Sequence, residues 1–257
     1  MTGKILSVEA LNFSYGKEKI LNNVSFSIDS PGVHALFGPN ASGKTTLLKC
    51  LIALMRPGSG EIKILGENIN NRSERFISRI VSYVPQSHHL YFPFTVFEMI
   101  LMGRTPHLKG VSFGPSEEDV TIAKESIKEI GIDSISRKYF TELSGGQQQM
   151  TLIARALTQK TDVIILDEPT SALDFKNQIN VWNILKKLSK NGKSVIICTH
   201  DPNYVMWFAD TVTIMKNGSI LSSGPPKDVM TNSCLHDLYG DICLNDNGFI
   251  RPSDLYF

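Results

Sequence analysis

The fold is decided by the stretch Gly38-Pro39-Asn40-Ala41-Ser42-Gly43-Lys44-Thr45, which lies between an apolar segment, residues 33–37, and a segment with leucines at helical spacing. The pattern G-x-x-x-x-G-K-[ST] between a strand and a helix is typical of a phosphate-binding loop. Its glycines let backbone N–H groups point inward at phosphate oxygens, and the helix adds its positive N-terminal end. We therefore expect Lys44 to reach the β and γ phosphates of a nucleotide and Thr45 to offer its hydroxyl to Mg²⁺.

A second stretch, Val163-Ile164-Ile165-Leu166-Asp167-Glu168, predicts a buried strand that ends in two acids. Such a strand end is costly unless the acids meet a cation or water. Asp167 is therefore expected to hold the Mg²⁺ shell, and Glu168 is expected to polarise an attacking water. An Asp-Glu pair is weak evidence by itself, but it becomes strong in a chain that carries a phosphate loop.

The rest of the chain predicts an α/β core. Continuous apolar runs at 162–166 and 194–199 are expected of strands that are buried on both faces of a parallel sheet. Asn217-Gly218 predicts the turn of a hairpin over residues 212–221. Further strands are predicted at 4–15, 24–28, 61–65 and 80–84, and helices at 72–79, 95–103, 117–130, 145–158 and 176–190. The sequence therefore predicts a parallel core that is split by a helical insertion, with an antiparallel part at the start.

Composition narrows the possible functions. The 257 residues carry 26 Lys and Arg against 25 Asp and Glu, and 42% are hydrophobic. This excludes a disordered or fibrous chain and argues against a nucleic-acid binder that works through a dominant basic surface. No stretch approaches the roughly 20 apolar residues of a membrane span, and we see no signal peptide. Cys50, Cys198, Cys234 and Cys243 are expected to be buried reduced thiols.

A third stretch, Leu143-Ser144-Gly145-Gly146-Gln147, opens the predicted helix 145–158. The chain resembles the ATP-binding cassette (ABC) ATPases in the order of its motifs: a phosphate loop, then L-S-G-G-Q, then an apolar strand that ends in Asp-Glu. The resemblance covers nearly the whole chain. The resemblance implies a P-loop NTPase fold with a RecA-like core, an N-terminal antiparallel β subdomain and a helical insertion subdomain. In that family the signature of one subunit closes over the ATP held by the other, so that two ATPs are sandwiched in a head-to-tail dimer.

The resemblance also assigns roles to smaller elements. Tyr15 matches the aromatic residue that stacks on adenine, and Gln86 matches the glutamine that touches Mg²⁺ or water. Asp174 lies in the loop that crosses the dimer interface, and His200 matches the switch histidine that contacts the γ-phosphate. The predicted catalytic residues are Glu168, His200, Gln86 and Lys44, and the predicted Mg²⁺ ligands are Thr45, Gln86 and Asp167. The predicted ATP-binding residues are Tyr15, Gly38, Pro39, Asn40, Ala41, Ser42, Gly43, Lys44, Thr45, Thr46, Ser144, Gly145, Gly146, Gln147 and Asp174.

The resemblance implies one ABC domain over residues 1–257. Residues 1–86 and 161–230 would form the nucleotide core with its antiparallel part, 87–160 the helical signature subdomain, and 231–257 a C-terminal extension. Two positions depart from the usual pattern: Ala41 replaces a common glycine, and Met150 stands where many relatives carry a basic residue. Neither change removes a catalytic group, so we expect an active ATPase.

Residues 102–108, with Ser116 and Asp119, resemble the ATPases of importers for iron chelates, haem and cobalamin. This implies a peripheral subunit at the cytoplasmic face of the membrane, with a multi-span permease and a substrate-binding protein as partners and no nucleic acid. Two alternatives stay open: a molybdate or tungstate importer of the same type, and a soluble ABC ATPase of iron–sulfur cluster assembly.

Among other residues, Trp182 and Trp207 are expected to face the core, and His88 and His89 are expected to be loop residues.

Overall fold

The computed structural model describes residues 4–86, 93–108, 114–241 and 243–253. The strands are β1 (Leu6–Tyr15), β2 (Glu18–Ile28), β3 (Gly32–Phe37), β4 (Ser59–Ile64), β5 (Glu67–Asn68), β6 (Val81–Val84), β7 (Val163–Asp167), β8 (Ser194–Thr199), β9 (Thr211–Lys216), β10 (Ser219–Gly224), β11 (Cys243–Asp246) and β12 (Phe249–Pro252). The α-helices are α1 (Lys44–Leu51), α2 (Glu74–Ile77), α3 (Val96–Leu101), α4 (Glu117–Ile130), α5 (Gly145–Thr158), α6 (Phe175–Lys190), α7 (Pro202–Phe208), α8 (Pro226–Val229) and α9 (Asn232–Tyr239).

A six-stranded sheet in the order β10-β9-β3-β8-β7-β6 forms the centre of the fold. All neighbouring pairs are parallel except β9 and β10, which form a hairpin. Side chains along β7 alternate between two hydrophobic cores: Ile164 and Leu166 pack on one face of the sheet, and Val163 and Ile165 on the other. Because both faces are covered, the central strands are continuous apolar runs, as predicted.

The parallel order gathers four of the predicted site segments at one edge. The carboxyl ends of β3, β6, β7 and β8 lead into the phosphate loop, Gln86, Glu168 and His200, respectively. Neighbouring parallel strands end at the same edge of a sheet, where ligands of open α/β folds bind. The connectivity alone therefore brings together four segments that lie far apart in the sequence.

A separate antiparallel sheet in the order β2-β1-β4-β5 confirms the predicted N-terminal part. Its fully buried side chains, including Leu11 and Leu21, pack in one core with Leu47 and Leu48 of α1. The helix that follows the phosphate loop is thus held between this sheet and the central sheet.

The helical part between β6 and β7 contains a buried ion pair. Arg104 Nε lies 2.7 Å from Asp119 Oδ1, and Arg104 Nη1 donates to the carbonyl of Thr158 in α5. Asp119 also accepts hydrogen bonds from the backbone N–H and the hydroxyl of Ser116, the N-cap of α4. Burial by itself would raise the pKa of Asp119, but the hydrogen bonds from Arg104 and Ser116 hold it below its ordinary value.

Several local predictions differ from the structure. The helix predicted at 72–79 forms one turn, Glu74–Ile77. The helix predicted at 95–103 ends at Leu101 and continues as a 3-10 helix, Met102–His107, because Pro106 cannot continue an α-helix. The expectation for Trp207 was wrong: its side chain is 42% exposed, whereas Trp182 is fully buried. His88 and His89 lie outside the described residues.

The hairpin turn and three of the four cysteines agree with expectation. Asn217 and Gly218 both have positive φ angles, +49° and +75°, as the predicted hairpin turn requires. Cys50, Cys198 and Cys234 are buried, and Cys243 is half-buried. No helix in the described part of the chain is both long enough and apolar enough to cross a bilayer.

The ion pair gives a first prediction. Asp119→Asn leaves the Arg104 charge buried without its partner, so we expect the free energy of unfolding to fall by about 3–5 kcal/mol. Because the pKa of Asp119 is lowered in the folded chain, the contribution is present at neutral pH and is lost as the pH falls through that lowered value. Urea denaturation at pH 7 measures the change.

Glu61→Gln is the matched control, since Glu61 pairs with Lys63 at the surface. Solvent screens an exposed pair and its contribution is small, so this variant should be nearly as stable as the parent. Equal stability of the two variants would contradict a structural role for the buried pair.

Candidate functional site

The phosphate loop is held by its own lysine. Lys44 is only 6% exposed, and its Nζ donates to the carbonyls of Gly38 at 2.8 Å and Pro39 at 2.9 Å. Gly38 is required for a close approach, because a Cβ atom there would lie 2.2 Å from the carbonyl oxygen of Met215. Gly43 adopts φ +100° at the start of α1, a conformation that favours glycine. The loop is therefore curled, with the N-terminus of α1 behind it.

A cavity of about 500 Å³ lies over this loop. Its lining residues are Glu18, Ile20, Asn40, Ala41, Ser42, Gly43, Lys44, Thr45, Thr46, Gln86, Glu168 and His200. The structure thus brings the predicted loop, glutamine, glutamate and histidine into one site. Sequence reasoning missed Glu18 and Ile20, which belong to β2 and carry no motif signal.

Oxygen groups suited to Mg²⁺ lie at the floor of the site. The Thr45 hydroxyl lies 3.4 Å from Asp167 Oδ1. Asp167 is 2% exposed, and its burial, with the neighbouring Glu168 carboxylate adding to the effect, raises its pKa. Hydroxyl and carboxylate oxygens are the ligands that Mg²⁺ prefers, usually with only one or two carboxylates and the substrate phosphates. A dication would therefore remove the cost of burying this acid.

The buried hydroxyl of Ser42 supports a ligand in the loop. Its Oγ has no hydrogen-bond partner among the described residues, and the residue is only 3% exposed, so little water can reach it. A buried polar atom without a partner is rare and costly in a folded protein. A phosphate oxygen in the loop would supply the missing partner, so the residues present fit a nucleotide with Mg²⁺.

Glu168 contacts two of the other predicted catalytic side chains, Gln86 and His200. Its Oε2 accepts a hydrogen bond from Gln86 Nε2 at 3.0 Å, and its Oε1 lies 3.2 Å from His200 Nδ1. The Glu168 backbone adopts φ +46°, a strained conformation for a residue other than glycine. Its N–H is fixed by the carbonyl of Cys198 on β8, 3.1 Å away. The two neighbouring strands therefore aim this carboxylate into the cavity.

The L-S-G-G-Q stretch forms the start of α5, as predicted. Ser144 caps the helix by accepting from the Gln147 N–H, and the Gln147 side chain accepts from the Ser144 N–H. A Cβ atom at Gly146 would lie 2.8 Å from the Asn177 side chain, so this glycine allows α5 to approach α6. Among the described residues that line the cavity, none comes from 144–147. One chain thus presents two separate helix N-termini of the kind that binds anions.

Tyr15 and Asp174 also lie outside the lining of the cavity. The Tyr15 ring is 47% exposed, and it contacts Phe13 edge-on while its hydroxyl meets Met55 Sδ at 3.1 Å. Asp174 caps α6 and accepts hydrogen bonds from the N–H and the side chain of Asn177, which lower its pKa. The adenine-stacking role of Tyr15 and the interface role of Asp174 stay predictions.

The fold and this site define an ATP-binding cassette, in which a phosphate loop faces an Asp-Glu strand end and a signature helix lies apart. The sequence profile of the family described as "ABC transporter" matches residues 21–171. The chain therefore belongs to the ABC transporter family.

Individual relatives and one solved structure are similar to this chain over most of its length. A petrobactin import ATP-binding protein of Bacillus subtilis is 33% identical over 90% of this chain and 92% of its own length. A hemin import ATP-binding protein of Ruegeria sp. (strain TM1040) is 32% identical over 91% and 90%, respectively. A structure described as an inward-facing metal-chelate type ABC transporter superposes with a TM-score of 0.82 at 30% identity, covering 97% of this chain and 96% of that chain.

A further solved structure is a dimeric, post-hydrolysis state of an ATP-binding cassette bound to ADP and Pi. It superposes with a TM-score of 0.75 at 28% identity, covering 86% of this chain and 98% of that chain.

Ala41 gives a prediction about the loop. It replaces the usual glycine and adopts φ +62°, which costs an L-residue about 1–2 kcal/mol. Ala41→Gly should remove this cost. The greater freedom of glycine in the unfolded chain lowers the free energy of unfolding by about 0.4–1 kcal/mol and so offsets part of the gain. We expect a net gain of about 0.5–1 kcal/mol in the free energy of unfolding without nucleotide.

Ala172→Gly is the control, because Ala172 is exposed and is not among the residues with positive φ. It should lose stability slightly in the same denaturation assay. A loss of stability in Ala41→Gly would contradict strain at this position.

Proposed function

We propose that the chain is the ATP-binding and ATP-hydrolysing subunit of an ABC importer that drives uptake of a metal chelate of the iron-siderophore, haem or cobalamin type. The observation that supports the ATPase activity is the convergence of Lys44, Gln86, Glu168 and His200 on one cavity. Asp167 lies beside Thr45, which lines the same cavity. The importer class is supported by relatives named for petrobactin and hemin import and by the metal-chelate type structure.

Each residue has a defined task in this proposal. The loop amides and Lys44 bind the β and γ phosphates, and Thr45 and Asp167, with Gln86, hold Mg²⁺. When bound, Mg²⁺ would supply positive charge that offsets the negative charge of the phosphate oxygens. Glu168 accepts a proton from water at a carboxylate oxygen, and its contact with His200 and Gln86 keeps that oxygen directed into the cavity.

The signature helix is assigned to a second copy of the chain. Ser144 and the N–H groups at the start of α5 are suited to a γ-phosphate but lie outside the lining of this chain's own cavity. A head-to-tail dimer would place them, with Asp174, over the nucleotide of the partner. The dimeric cassette structure bound to ADP and Pi supports this arrangement.

The proposed division of labour follows the predicted boundaries. Residues 1–86 and 161–230 bind and hydrolyse ATP, 87–160 carry the signature and transmit closure to a permease, and 231–257 form an extension. The partners would be a multi-span permease and a substrate-binding protein, with this subunit at the cytoplasmic face of the membrane.

Two substitutions test the ATPase assignment. Glu168→Gln removes the proton acceptor, and we expect hydrolysis to fall about 10²–10⁴-fold while nucleotide binding is kept. Lys44→Ala removes charge-assisted hydrogen bonds to phosphate, and we expect ADP affinity to fall about 10–100-fold. Phosphate release and the fluorescence of a labelled ADP measure the two effects.

Lys49→Ala is the matched control on the same helix, α1, outside the lining of the cavity. It should hydrolyse and bind like the parent. Hydrolysis that survives Glu168→Gln would refute the role of this carboxylate.

The importer assignment is tested separately by reconstitution with a candidate multi-span permease from the same genome. We expect ATP-dependent uptake of an iron chelate, haem or cobalamin into vesicles, and loss of uptake with Glu168→Gln. Uptake of molybdate or tungstate alone, or co-purification with cluster-assembly proteins in place of a permease, would contradict the proposed cargo or class.

A further inference from the structure

Tyr204 of α7 is a buried tyrosine outside the predicted site. It is 3% exposed, and its ring stacks on Trp182 of α6 with ring centroids 5.8 Å apart. Its hydroxyl donates to Gln178 Oε1, also on α6, at 2.7 Å. Burial, with Asp201 adding to the effect, raises the pKa of Tyr204, so the hydroxyl stays protonated and remains a donor. The stacking on Trp182 fixes the position of the hydroxyl, and Gln178 accepts its hydrogen bond.

Gln178 also bonds the loop that follows Glu168, so it links Tyr204 to this loop. Its Nε2 donates to the carbonyl of Thr170 at 3.1 Å, and Thr170 is buried. The same loop is tied to Glu168 itself, because the N–H and the hydroxyl of Ser171 both donate to the Glu168 carbonyl. A carboxamide that accepts at its oxygen and donates at its nitrogen can adopt only one orientation. Gln178 therefore sets the distance between Tyr204 and the loop.

The other end of α7 leads to His200. Asp201 caps α7 by accepting from the N–H groups of Asn203 and Tyr204, and the adjacent His200 meets Glu168 at 3.2 Å. These contacts close a ring that runs from Glu168 through the loop, Gln178, Tyr204 and Asp201 back to His200. The ring surrounds a cavity of about 70 Å³ that is lined by Glu168, His200, Gln178 and Tyr204, among others, and that is large enough for water.

We propose that Tyr204 and Gln178 form a positioning pair that sets the Glu168 carboxylate and His200 relative to each other for hydrolysis. The pair touches neither phosphate nor metal in this proposal, and it acts through the loop 168–174 on one side and α7 on the other. The role rests on the proposed ATPase function of Glu168.

Tyr204→Phe and Gln178→Leu, alone and combined, test the pair in the full chain. Tyr204→Phe keeps the ring stacked on Trp182 and removes only the hydroxyl. Each single variant should lower kcat about three- to tenfold, the range expected for one lost hydrogen bond, with KM for ATP and the Kd of labelled ADP unchanged within about twofold. The double variant should be no slower than the slower single variant, because both changes break the same contact.

Tyr239→Phe is the matched control, since it removes the hydroxyl of a half-buried tyrosine on α9 that packs edge-on against Phe37. It should leave kcat unchanged. Unchanged kcat in Tyr204→Phe, effects that multiply in the double variant, or a parallel loss of ADP affinity would overturn the positioning role. A parent chain without Glu168-dependent hydrolysis would contradict the proposed function, and the positioning role with it.

Discussion

The parallel pairing of β3, β8, β7 and β6 is the constraint on which the rest of the structure depends. Val33 pairs with Val195, Val163 with Ser194, and Val81 with Val163, so the four strands run in register. Their carboxyl ends meet at one edge, and the phosphate loop, Gln86, Glu168 and His200 follow directly. Backbone hydrogen bonds of the sheet, rather than contacts among the polar side chains, bring the site together. The covering layers on both faces make such a buried sheet stable.

Two helix N-termini of this chain have different neighbours and lie apart. The N-terminus of α1 lies behind the phosphate loop, whereas α5 starts in the helical part and packs against Asn177 of α6. Both ends present backbone N–H groups, yet the signature end contributes nothing to the lining of the cavity. In the proposed dimer each helix end would be used once, so that two equivalent sites would form in one symmetric assembly.

Three residues of the segment that resembles metal-chelate importer ATPases have defined contacts in the structure. Arg104 and Asp119 pair in the interior, Ser116 caps α4, and Thr158 of α5 accepts from Arg104. These groups hold the short 3-10 helix against α4 and α5, in the part of the chain that carries the signature. Arg104, Ser116 and Asp119 therefore have a packing role within the helical part.

The sequence by itself determined the fold class, the identity of the phosphate loop and the strands that precede this loop, Gln86, Glu168 and His200. These depend on local patterns such as G-x-x-x-x-G-K-T and runs of apolar residues. It failed for Trp207, which has helical spacing but faces solvent, because distant packing decides the exposure of a side chain. It also extended the helix predicted at 95–103 too far, since Met102 belongs to the 3-10 helix that contains Pro106. Only the tertiary structure joined Tyr204, Gln178 and Thr170, since no motif links a tyrosine on α7 to a glutamine on α6. Hydrogen bonds between side chains depend on how helices pack, and packing is a property of the whole fold.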